Sequence, residues 1–168
     1  MGKRKEIKVG FEESSRMLPF IRIRIEGMDG EKLALVDSGS EITLLDKEIA
    51  ESLKGKPSFV LHSSAELSLD GVGGQVNGKT YTFAAYVDVV DNSSEKRTFT
   101  ITGNVSDFSG MRLPLRRVCN AADTVMIIGS DMLKKMRAKI DFKNGNLTFD
   151  DLSGHKKPGQ DPGLDASH

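Results

Sequence analysis

The sequence is poor in the residues that build covalent or metal-held frameworks. It has one cysteine, Cys119, so no internal disulfide can form, and a zinc site would need several ligands at short spacing. A single cysteine is more often a small buried hydrophobe than a reactive thiol. The three histidines, His62, His155 and His168, are widely separated, which leaves no support for a metal site or for a Ser-His or Cys-His nucleophile. No metal and no cofactor are therefore expected. Apolar runs are short, and none approaches the roughly 18 residues of a membrane span. The basic start at Lys3-Arg4-Lys5 is not followed by an apolar run of signal-peptide length, and Glu6 stands where a myristoylation start carries Ser or Thr. The expectation is a cytoplasmic chain, or a fragment of a longer one, with no membrane partner. Net charge is absent too, with 24 basic against 24 acidic residues. A surface built to bind phosphate backbones is basic, so no nucleic-acid partner is expected. The one basic run, Lys134-Lys135-Met136-Arg137, has the spacing of a solvated helix face.

What is present is an ordinary globular balance, 38% hydrophobic and 29% charged over 168 residues, enough for one domain with a core. Residues 1–16 are polar and form either a frayed arm or an edge strand. Residues 17–152 form the expected domain, and residues 153–168, rich in Gly, Pro, Lys, Asp and His, have the composition of a disordered tail. Ile21, Ile23 and Ile25 alternate with Arg22, Arg24 and Glu26, the period of a half-buried strand. Asp29-Gly30 marks a turn, and Leu33 to Val36 is a strand apolar on both faces. Ile42 to Leu45 reads as a third strand. Asp46 is placed to cap a helix over Lys47 to Leu53 that stops at Gly55. Phe59 to Leu69, Tyr81 to Val90 and Arg97 to Val105 read as strands, with Asp70-Gly71-Val72-Gly73-Gly74 as a tip between the first two. Thr124 to Ile128 is an apolar strand ending at Gly129, and Asp131 is placed to cap a helix through Met136. Ala138 to Phe142 and Asn146 to Phe149 form a hairpin. Turn signals at about every ten residues favour a mostly β, barrel-like architecture with one or two short helices. The stretch 88–123 receives no firm assignment beyond its strands.

The chemistry concentrates in Val36-Asp37-Ser38-Gly39-Ser40, where an acid is thrown out of a fully apolar strand. Ionised carboxylates are rarely placed beside buried runs without compensation. Gly39 permits a sharp turn and lets its amide approach the carboxylate, and Ser38 supplies a hydroxyl that can lock the loop. Asp-Ser-Gly is also a common turn tripeptide, so by itself it has a purely structural reading. A carboxylate held by amides suits the activation of a water molecule. Peptide hydrolysis by this route needs two carboxylates, one to take a proton from water and one to donate to the carbonyl oxygen. Two acids about 3 Å apart share one proton and titrate as a unit. The chain has one Asp-Ser-Gly and no second Asp-Ser/Thr-Gly. The missing acid then has to come from a second copy, and a two-fold contact sets Asp37 against its mate.

The segment Leu35-Val36-Asp37-Ser38-Gly39-Ser40-Glu41-Ile42-Thr43-Leu44-Leu45 resembles the active-site signature of retropepsin-like aspartic proteases. Val125-Met126-Ile127-Ile128-Gly129-Ser130-Asp131-Met132-Leu133 is similar to the second signature of that family, and the Ile140-Asp141-Phe142 and Asn146 to Phe149 segments match the hairpin that follows it. The pattern is nearest to cellular members of the DNA-damage-inducible type and to retroelement proteases, over roughly residues 20–150. The resemblance implies a retropepsin-like closed β-barrel, active as a homodimer on an extended peptide or protein substrate. It implies that Asp37 is the catalytic acid/base, that Ser38 makes hydrogen bonds across the dimer, and that Gly39 gives the amide under the carboxylate. Ile127, Ile128 and Gly129 would pack behind the loop and shape the substrate pocket. Gly71, Val72, Gly73 and Gly74 would form the tip of a flap over the peptide, although a plain hairpin turn explains these glycines as well. One departure is Ser130, where many viral members carry Arg paired with an acid beyond the catalytic loop. It motivates an alternative, a catalytically inactive peptide-binding or dimerisation module of the same fold. A third reading, motivated by the linker-like tail, is a protease cut from a polyprotein.

Overall fold

The computed structural model of the chain describes residues 6–12, 18–64, 69–71, 74–76, 80–90, 97–110 and 124–150. Its strands are β1 (Glu6–Gly10), β2 (Phe20–Ile25), β3 (Lys32–Val36), β4 (Leu44–Asp46), β5 (Phe59–Ser64), β6 (Leu69–Gly71), β7 (Gly74–Val76), β8 (Thr80–Val89), β9 (Arg97–Ser106), β10 (Thr124–Ile128), β11 (Lys139–Asp141) and β12 (Asn146–Asp150). Two short helices accompany them among the described residues, α1 (Lys47–Leu53) and α2 (Ser130–Lys135). Cys119, His155, His168, Val72 and Gly73 lie outside the described residues, as do most of 106–123 and the whole of 153–168.

Six strands close on themselves in the order β2-β3-β10-β4-β9-β8, and β8 returns to pair with β2. The β3–β10 and β4–β9 pairs are parallel and the others antiparallel. Closure is possible because β8 is long enough to serve two neighbours along one edge. Thr80 to Ala85 pair with β5, and Val87 to Val89 pair with β2, while β9 takes its other edge. A closed sheet leaves few unpaired backbone groups, which a barrel requires of its strands. The expectation of a mostly β barrel with two short helices therefore holds.

Alternation fixes which side chains fill it. Ile21, Ile23 and Ile25 of β2 are fully buried while Arg24 is exposed. The exposed face of that hairpin carries an ion-pair cluster, Arg22 and Arg24 against Glu31, with Arg22 also reaching Glu12. β3 is apolar on both faces for a visible reason. Ala34 and Val36 point into the barrel core, while Leu33 and Leu35 pack with Leu18 on the buried ring of Phe20, a satellite cluster outside it.

Glu6–Gly10, which the sequence reading set in an N-terminal arm or edge strand, form β1 and pair along their whole length with β12. Ile7 and Val9 join the main core. β1, β12 and β11 make a second, three-stranded sheet that packs on the barrel through Phe149, whose ring meets Phe99 of β9 edge-on at 5.0 Å between centroids.

One expected helix cap stands in position and the other is corrected. Asp46 is the N-cap residue of α1, but its side chain makes no capping hydrogen bond, and its buried Oδ1 accepts from the amide of Phe108 instead, at 3.2 Å. Asp131 lies inside α2, whose N-cap is Gly129, and its carboxylate turns away to Thr43. The third strand begins at Leu44 rather than Ile42. The Thr43 amide is taken by Asp131, and the Ile42 carbonyl by the Ser40 hydroxyl, so side chains take backbone groups that a strand ladder would otherwise use. Of the strand expected over Phe59 to Leu69, residues 59–64 form β5 and Leu69 opens β6, while residues 65–68 lie outside the described residues.

Candidate active site

Asp37 follows β3 directly, at the end of a barrel strand paired in parallel with β10. Its amide donates to the Ile128 carbonyl at 3.0 Å, which extends the β3–β10 pairing by one residue. The chain then turns tightly. Ser40 N donates to the Asp37 carbonyl at 3.2 Å, and Gly39 N donates to Asp37 Oδ1 at 2.9 Å. An N–H aimed at a carboxylate fixes its rotamer. Asp37 itself is half-buried, and Ser38 and Gly39 are exposed beside it.

The loop is held from behind by the junction of β10 and α2. Ser130 N donates to the Ser40 carbonyl at 2.7 Å. Thr43, fully buried, donates from its hydroxyl to Asp131 Oδ1 at 2.7 Å and from its amide to Oδ2 at 3.1 Å. The same hydroxyl accepts from Gly129 N at 3.0 Å. Asp131 Oδ1 also accepts from Met132 N at 2.7 Å. On the far side, the Thr43 carbonyl accepts from Asn104 N at 2.9 Å.

Such close approach demands glycine. A Cβ at Gly129 would lie 2.6 Å from the carbonyl carbon and oxygen of Ile42 and 2.9 Å from the Ser40 oxygen. At Gly103 of β9 a Cβ would lie 2.1 Å from the Thr43 oxygen. Both obstacles are backbone, so neither can swing aside.

The sequence-derived site residues divide into groups. Asp37, Ser38 and Gly39 share one loop, and Ile127, Ile128 and Gly129 are buried at the end of β10, where the Ile128 carbonyl takes the Asp37 amide and the Gly129 amide donates to the Thr43 hydroxyl. Gly71 and Gly74 pair across the β6–β7 hairpin, with Leu69 opposite Val76 and Asp70 opposite Gln75. Val72 and Gly73 fall outside the described residues. Sequence reasoning missed the roles of Thr43, Asp131 and Gly103. The signal available was a Thr within the first signature and an Asp two residues after the glycine of the second, but nothing in either segment says that they meet.

A cavity of about 640 Å³ was also not anticipated. It lies against the outward-facing side chains of β5, β8 and β9, among them Val60, His62, Thr82 and Thr102, and one end reaches Ile42 and Asp131. Asp37 does not line it. Among the described residues, no three histidine, cysteine, aspartate or glutamate side chains come together, and no helix is long and apolar enough to cross a membrane.

Fold and site together define a closed β-barrel that presents a carboxylate on an Asp-Ser-Gly loop at the end of one strand. No family model and no curated protein matches the chain. Solved structures do. The chain is similar to a retropepsin-like aspartic protease from Rickettsia conorii, at 17% identity and a TM-score of 0.49, over 89% of this chain and 96% of that one. It is similar to the retroviral protease-like domain of Ddi1 from Leishmania major, at 19% identity and a TM-score of 0.45, over 80% of this chain and 90% of that one. A third similar structure is EIAV protease complexed with the inhibitor HBY-793, at 22% identity and a TM-score of 0.36, over 74% of this chain and 93% of that one.

Proposed function

We propose that the chain is one protomer of a homodimeric aspartic endopeptidase in which two Asp37 carboxylates face each other across a two-fold axis. The observation that carries the proposal is the Asp37 loop, a half-buried carboxylate fixed by the Gly39 amide and backed by a buried hydrogen-bond network. In the dimer the pair shares one proton, because two adjacent acids cannot both ionise. The ionised member takes a proton from a water molecule, whose oxygen attacks the peptide carbonyl carbon. The protonated member gives its proton to the carbonyl oxygen. The resulting gem-diol then collapses as the C–N bond breaks, the leaving nitrogen taking the proton of the protonated carboxyl while one hydroxyl of the diol gives its proton to the other carboxylate, which restores the singly protonated pair. Ser38 would hydrogen-bond across the dimer, a reading its exposure next to Asp37 supports, and the β6–β7 hairpin is the candidate flap. An extended peptide, held by strand-like hydrogen bonds, is the substrate class.

Cleavage of unfolded protein by wild type and by Asp37→Asn, assayed at equal fold and equal solution mass, tests this. The expected result is loss of turnover with fold and dimer retained, and an acidic to mildly acidic optimum. Normal turnover by Asp37→Ala would sink the proposal, and so would a rate rising steadily to about pH 9, where a shared proton is gone. Ser130, which offers the loop its amide but no basic side chain, favours a second reading as a non-catalytic peptide-binding module. Binding of a statine-type inhibitor separates the two. A protease binds it through the carboxylate pair, and a module that has lost the pair does not.

A further inference from the structure

The hydrogen bonds around Thr43 set where the floor of the Asp37 loop lies. Asp37 and Ser40 are bonded to the β10–α2 junction only through backbone groups of residues 128 and 130. Residue 129, between them, is fixed by the Thr43 hydroxyl, and that hydroxyl is aimed by the Asp131 carboxylate. Thr43 is 0% exposed and uses its amide, carbonyl and hydroxyl at once, tying the loop to α2 and to β9. Asp131 accepts three donors from two residues. Only a carboxylate offers acceptors alone on both oxygens. An asparagine would point two N–H groups at one of these donors.

We infer that Thr43 and Asp131 are positioning residues that hold the Asp37 carboxylate in register by clamping Gly129. The inference rests on the reading of Asp37 as catalytic for its functional part, while the clamp itself can be measured without turnover. An acid–base pair working on one water depends on placement, and a shift of about 1 Å caused from outside the site costs on the order of a hundredfold in rate.

The test compares wild type, Thr43→Ser, Thr43→Val and Asp131→Asn. Thr43→Ser keeps the hydroxyl, and Thr43→Val removes it at nearly the same size. Two quantities are read: kcat and KM on an unfolded substrate, and hydrogen-exchange protection of the Gly129 and Ser130 amides against those of β1 and β12. The expected result is a fall in kcat of about tenfold or more for Thr43→Val and Asp131→Asn, with KM within about twofold and Thr43→Ser close to wild type. Protection should drop at Gly129 and Ser130 and stay unchanged in β1 and β12. The double variant should be no worse than the weaker single one, as for two residues of one network. Wild-type kcat and protection in Thr43→Val would overturn the inference, as would protection lost evenly over the whole chain. If the wild type cleaves nothing, the protease reading fails, and selective loss at Gly129 and Ser130 still supports the clamp while unchanged protection still overturns it. If Thr43→Val does not fold, Asp131→Asn against Thr43→Ser carries the same comparison.

Discussion

The loop of residues 37–43 and the small sheet of β1, β12 and β11 sit on the same barrel and are held in opposite ways. The loop depends on isolated contacts, three made by the Thr43 and Asp131 side chains between residues 86 to 88 positions apart and the rest by single backbone groups. The sheet depends on continuous ladders, five register pairs of β1 on β12 end to end and three of β11 on β12, with surface ion pairs such as Lys139–Glu6 and Arg137–Asp150 at its margin. In a ladder, the loss of one side chain leaves the backbone bonds in place. In a network built from one Thr, one Asp and one Gly, each loss moves the others. Surface ion pairs of this kind contribute about 1 kcal/mol or less, whereas an unpaired buried polar group costs about 1–3 kcal/mol. Change near the loop should therefore appear in the chemistry first, and change in the sheet should appear in stability alone.

The strongest way to break this comparison is Gly129→Ala. Its methyl group would press on the backbone of Ile42 and Ser40 at distances no real Cβ keeps, so the loop has to move. The expected outcome is a destabilisation of about 3 kcal/mol, at the upper end for overpacking, read by denaturant unfolding, together with loss of any turnover. A Gly129→Ala protein with wild-type stability would mean that the junction is not tightly packed. The complementary change in the sheet is Phe149→Leu, which keeps an apolar side chain but removes the edge-on contact with Phe99. Unfolding should cost about 1–2 kcal/mol less free energy, while kcat and KM stay at wild-type values. A drop in kcat for Phe149→Leu at matched folded fraction would erase the distinction between the two regions.

The sequence carried the barrel strands well because their alternation is local. β2, with three isoleucines inward and Arg22 and Arg24 outward, needs no partner to be recognised. The two helices were legible for the same reason. The tripeptide at Asp37 was legible as a strand-end acid, and its bond to the Gly39 amide spans two residues. What escaped was whatever depends on a partner far along the chain. Asp46 and Asp131 both stand where a cap is expected, yet each found a better donor, Phe108 in one case and Thr43 in the other. The glycine at 103 has no turn around it and is explained only by the Thr43 carbonyl packed against it. The cavity was illegible because its walls come from three strands that become neighbours only once their registers are set.

The smallest expected effect lies in the β11–β12 turn and separates the regions by pH. The Asn144 side chain, joined by the Asn144 amide, donates to Asp141 and holds its carboxyl below the usual carboxylate range. A group whose folded pKa is depressed contributes stability above its unfolded value, near 4 for aspartate, and that contribution is lost as pH falls through the folded value. The midpoint of thermal unfolding of wild type should therefore exceed that of Asp141→Ala slightly at neutral pH, with the difference shrinking as the solution is acidified. The carboxylate sits in a surface turn open to water, so solvent screening keeps the effect small. Because the turn belongs to the ladder-held sheet, the acid arm of any activity profile should be unchanged in Asp141→Ala. An acid arm that moves with this substitution would show that the sheet reaches the Asp37 loop after all, and that the two regions are coupled through the core.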